Sequence, residues 1–148
     1  MMKNREVWRD AFRGASTMAV AAALALAPAL PTRAATVVWV PDADGFWDIS
    51  TNWDLGLPGA LDDVIIDVGG PTVRTITFQT NVVTVNSLAS QENLFVTGGE
   101  LTISNAYSSA QETRITNGIL RLNGVSAMNS FTQTGGTLAG TGVLTVTG

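Results

Sequence analysis

From residue 62 onward, apolar and polar side chains alternate in short bursts: Val64/Ile66/Val68, Val83/Val85, Leu94/Val96, Leu101/Ile103, Leu120/Leu122 and Leu144/Val146. Alternation with a period of two places one set of side chains on one face of a strand. The positions between them carry Thr75, Thr77, Thr84, Asn86, Thr97, Thr102, Thr116 and Thr145. Threonine suits a strand because its branched Cβ packs on the pleat while its hydroxyl meets water. No stretch after residue 36 keeps a helical period, so the pattern predicts an all-β chain.

The bursts return on a fixed beat. A turn-type residue stands two positions before a strand at Asp62, Asn81, Gly99, Gly118 and Gly136, at intervals of 19, 18, 19 and 18. A second column, Ile76/Phe78, Leu94/Val96, Thr113/Ile115 and Phe131/Gln133, keeps the same step. A third reads Leu88, Ala106, Val125 and Val143. Asp, Asn and Gly tolerate a left-handed backbone or bond their own turn, so the first column predicts one recurring bend per coil. Three inward segments per coil predict a parallel β-helix, a β-solenoid of about 18–19 residues per rung. A β-sandwich also has regular short strands, but it does not require its turns and strands to share one residue period.

Two segments precede the repeat. Residues 36–61 hold Trp39, Trp47 and Trp53 with Asp42, Asp44, Asp48 and Asp54. The first rung of a solenoid has no neighbour below it, and large aromatic rings can cover that end. The same rings are the candidates for stacking on sugar. Residues 1–35 begin with Lys3, Arg5, Arg9 and Arg13 and continue into an apolar run from Met18 to Leu30. Small residues at Thr32-Arg33-Ala34 follow, which is the layout of a signal-peptide helix removed on export. The run is too short to span a bilayer. The domains expected are therefore a signal peptide (1–35), an aromatic N-terminal cap (36–61) and solenoid rungs (62–148). The pattern runs on to Gly148, so the sequence reads as the first part of a longer solenoid or as a chain that stacks on a partner.

Charge and composition narrow the function. Five of the eight basic residues lie in the leader, which leaves Arg74, Arg114 and Arg121 against ten acidic residues. Such a surface repels nucleic acid and anionic lipid. There is no cysteine, and beyond the leader there is no lysine and no histidine. Nucleophile–histidine and lysine-base arrangements are therefore excluded from the mature part. Asp62-Asp63 could form a carboxylate pair, but neighbours on a strand point to opposite faces and a glycosidase dyad must face one sugar. No catalytic residue and no cofactor is expected. Asp42-Ala-Asp44-Gly45 begins like a calcium loop, yet the twelfth position is Trp53 where a glutamate is needed. Asp42, Asp44 and Asp48 are the only candidates for a calcium site.

The stretch from Gly45 to Ile66, GFWDISTNWDLGLPGALDDVII, resembles the segment that opens many large secreted bacterial repeat proteins. Thr97-Gly-Gly-Glu-Leu-Thr-Ile103 and the final Gly135–Gly148 stretch resemble the passenger regions of autotransporters and filamentous, haemagglutinin-like adhesins. The resemblance implies a stalk at the cell surface that meets host or matrix, including glycan, and supplies no catalytic residue. The export barrel of such families has no counterpart in this chain. The expectation is an exported, non-enzymatic β-solenoid segment, secreted or displayed on the cell surface. The alternative is a carbohydrate-binding or polysaccharide-degrading β-helix that uses Trp39, Trp47 and Trp53.

Overall fold

In the computed structural model, which describes residues 34–148, strands wind into a parallel β-solenoid of about four turns. The leader expected over residues 1–35 lies almost wholly outside the described residues. The first rung is incomplete: β1 (Thr36–Val38), β2 (Gly45–Phe46) and a 3-10 turn at Ser50–Asn52. Three-sided rungs follow. One contains β3 (Asp63–Ile66), β4 (Thr75–Phe78) and β5 (Val82–Val85). The next contains β6 (Ser87–Ser90), β7 (Asn93–Val96) and β8 (Glu100–Ile103). In the two after it, one long strand rounds the first corner: β9 (Tyr107–Ile115) precedes β10 (Ile119–Leu122), and β11 (Ser126–Gln133) precedes β12 (Thr137–Ala139). Finally β13 (Leu144–Val146) pairs with β11.

Every strand pair is parallel, and each face is one column of stacked strands. Face one stacks β1, β3, β6, β13 and the first halves of β9 and β11. Face two stacks β2, β4, β7 and the second halves of β9 and β11. Face three stacks β5, β8, β10 and β12. Aliphatic residues stack on aliphatic residues in Ile76–Leu94 on face two and Val83–Leu101–Leu120–Leu138 on face three, while Thr113 continues the face-two column as a buried hydroxyl. Apart from the half-buried Val83, the interior columns are almost fully buried from Val64 to Leu122.

The corner between faces two and three has the same length in each full rung. It is turned by Asn81, Gly99, Gly118 and Gly136, all with positive φ between 61° and 77°. The corner between faces three and one varies by one residue, as does the corner between faces one and two above the first full rung. At the first corner of β11, Met128 faces Ser109 but Ser130 faces Glu112, so one residue opposes two. The alternation between 18 and 19 arises at these two variable corners.

Two columns differ from the sequence expectation. Asp62 is not a member of the bend column, and Val64/Ile66 is not a face-three strand. Strand β3 stacks under β6 on face one, with Val64 beside Leu88. A long connection through residues 67–74 separates β3 from β4, where the next rung turns in two residues and the later ones run on as a single strand, and its length brings Asp62 into step by coincidence. The third column was read one residue out of register. Leu88 stacks on Tyr107, then Ser126, then Leu144, while Ala106, Val125 and Val143 point outward. A slip of one residue in a period-two pattern exchanges inside for outside.

Candidate functional surfaces

The cap is built around the three tryptophans. Trp39 continues from β1 and bonds backbone to backbone with Ile65, while Trp47 follows β2 and bonds Thr77 in the same way, each at 2.9 Å. Both rings therefore point into the solenoid below the first full rung. Trp53 sits between them, edge-on to Trp39 at 5.1 Å and to Trp47 at 4.7 Å between centroids, and Trp47 meets Phe78 at 5.8 Å. These offset edge contacts are the arrangement aromatic quadrupoles favour. The indole N–H of Trp39 donates to the Pro41 carbonyl and that of Trp53 to the Trp47 carbonyl, both at 2.8 Å. The indole N–H of Trp47 is buried without a partner. All three rings are at most 3% exposed, so none offers a face on which a sugar could stack.

Apart from Asp48, the aspartates of the same region are occupied by the protein's own donors. Asp42 accepts from the Arg74 guanidinium at 2.8 Å, a contact that raises the arginine pKa. Asp44 accepts from the Thr75 backbone N–H at 2.8 Å, and Asp54 from that of Val38 at 2.8 Å. Asp62 takes the N–H groups of Ala35 and Gly59. Asp63 takes the Ser87 hydroxyl and the Asn86 amide, and these bonds hold its carboxyl below its ordinary value. Asp44, Asp54 and Asp62 take backbone N–H groups that an irregular first rung leaves without a carbonyl partner. One Asp48 oxygen is buried without a partner. Asp42, Asp44 and Asp48 are not brought together: no group of three His, Cys, Asp or Glu able to hold a metal occurs among the described residues. The neighbours Asp62 and Asp63 turn to different partners rather than to a shared opening.

Outside the cap, the three faces differ sharply. Face two carries the Arg114–Glu112 pair at 3.1 Å, with the Arg114 guanidinium 4.9 Å from the centre of the Phe95 ring. Face three carries Arg121–Glu100 at 3.0 Å. Face one, above the first full rung, carries no charge. Its central row is Ala89, Ser108, Ala127 and Thr145, and its edge row is Ser87, Ala106, Val125 and Val143. All but Ser87 are exposed, with Val125 and Val143 at 75% and 68%. The sequence pattern hides this face, because the third column of the repeat falls on Ala106, Val125 and Val143, which lie in its outward edge row. The small residues between buried ones would have revealed it once the strand was shifted by one position.

No helix among the described residues is long and apolar enough to cross a membrane. No family model matches this chain, and neither a curated protein nor a solved structure gives a significant match.

Proposed function

We propose that this chain is an exported, non-enzymatic β-solenoid segment of a surface adhesin or autotransporter-like protein, and that it works by display. A stiff stack of parallel rungs repeats each outward side chain about every 4.8 Å, so one side-chain type becomes a ladder. The observation that carries this reading is how the polar chemistry is used. Asp42, Asp44, Asp54, Asp62 and Asp63 are committed to backbone N–H groups, Arg74, Asn86 and the Ser87 hydroxyl. The ladders of Ala, Ser, Thr and Asn are what the molecule presents to its surroundings. The basic start, apolar run and small-residue site of the first 35 residues support export.

The test expresses the full chain in a Gram-negative host. It follows processing at Ala34 or Ala35 and measures adhesion of the processed protein to matrix proteins and immobilised glycans. Processing together with saturable binding to one of these surfaces is expected. An unprocessed chain retained in the cytoplasm, or glycan hydrolysis that disappears in Asp63→Ala, overturns the reading.

A further inference from the structure

We infer that face one is a self-association surface, on which a second copy of this chain packs sheet against sheet. The first argument is charge. Beyond the leader the chain is strongly acidic, with three arginines against ten carboxylates, so two copies repel over most of their surface. Faces two and three each carry an ion pair, and burying those groups against another copy would strip their water without new partners. Face one has no Asp, Glu, Lys or Arg in residues 87–91, 106–111, 125–130 or 143–148. Among the described residues, it is the side of the solenoid that another copy can approach without desolvating a charge.

The second argument is shape and area. The central row, Ala89, Ser108 and Ala127, is small and exposed, so two such sheets can approach closely along their whole length. Stacking is the usual support for broad, regular sheet faces. The four charge-free strands of this face, β6, β9, β11 and β13, lie about 4.8 Å apart and each contribute about six residues of about 3.3 Å, roughly 400 Å² per copy. Two copies would bury about 800 Å², the size of a weak, transient contact. A twofold axis parallel to the strands lays the rods antiparallel and sets the edge row against its own copy. The two most exposed valines of that row, Val125 and Val143, then lose contact with water together. A contact of that size implies a weak, readily reversible dimer.

The experiment is sedimentation velocity on the full chain over a range of concentrations, at low and high salt. The comparison is with Ala127→Lys, Ser108→Lys and, on face three, Thr84→Lys. All three positions are outward, so circular dichroism and thermal midpoints should match those of the parent. The parent and Thr84→Lys should form a dimer whose affinity changes little with salt, because no charge lies in the contact. Ala127→Lys and Ser108→Lys should weaken it by about a hundredfold or more, the penalty of a buried, unpaired charge. A parent that stays monomeric throughout the range overturns the inference, whatever other ligand it binds. So does a dimer that survives both face-one lysines, which would assign association to the leader or to an end of the rod.

Discussion

Gly118 shows how tightly single residues are held at the constant corner. Its φ is +77°, and a Cβ there would lie 2.6 Å from the Gly98 carbonyl carbon and 2.7 Å from the Gly99 oxygen. Gly69, in the long connection after β3, has a similar φ of +68° but open space around it. The two glycines therefore separate backbone strain from steric clash. Gly69→Ala should cost about 1–2 kcal/mol, the left-handed penalty alone. Gly118→Ala should cost clearly more, because the backbone of the rung beneath must also move. Urea midpoints at unchanged m-value measure the difference, and equal losses would show that the corners do not touch. Tyr107 gives a second residue-scale test. Burial pushes its phenol up to about 12, offset in part by bonds with Thr113, at 2.6 Å, and Ser109. A raised folded pKa means that this stabilisation is complete below the ordinary value of 10.0 and is lost as pH rises toward 12. It is the only tyrosine in the chain, so tyrosinate absorbance reports it alone. The native protein should stay in the phenol form past pH 10, and ionisation near 10 in a folded sample would contradict the burial.

At the scale of elements, the cap is joined to the first full rung by carboxylates as much as by hydrophobic contact. Asp63, which ties the first full rung to the one above it, is the carboxylate whose pKa is lowered, chiefly by the Ser87 hydroxyl and then by the Asn86 amide. A lowered folded pKa stabilises fully above the unfolded value near 3.8 and fades as pH falls through the folded value. Thermal midpoints should therefore drop as pH falls from 4 toward 2, and Asp63→Asn should remove part of that slope. A variant with the parent's slope would place the acid sensitivity elsewhere. Trp53 is the hydrophobic counterpart, since it touches both other indoles. Trp53→Ala should cost about 3–5 kcal/mol and shift the fluorescence of Trp39 and Trp47 toward that of exposed indole. The elements were legible in unequal measure. Faces two and three could be read because Asn81, Gly99, Gly118 and Gly136 mark the one corner of fixed length. Face one could not, because its two corners gain or lose a residue and only local pairing fixes which neighbour points inward. The burial of the tryptophans followed from the needs of an end rung, whereas their mutual edge contacts depend on β2 and the 3-10 turn, which no periodicity announces.

Across the whole molecule, stability is a sum over neighbouring rungs, because each rung touches only the one above and the one below. With no disulfide in the described chain, that sum rests on stacked apolar columns and strand pairing. The face-three column offers a controlled comparison. Leu101 and Leu120 are completely buried between neighbours, while Leu138, in the same column one rung further on, is half-buried. Leu120→Ala opens a cavity bounded on both sides and should cost about 2–5 kcal/mol. Leu138→Ala removes less buried area and should cost about 1 kcal/mol. Amide exchange separates this nearest-neighbour description from a single all-or-none core. If rungs are coupled only to their neighbours, Leu120→Ala should speed exchange most in β8, β10 and β12, and least in β1 and β3. A uniform loss of protection from the cap to β12 would show that the rungs unfold as one unit. In that case the solenoid would be a single cooperative block, and a change on one face would be felt at every other.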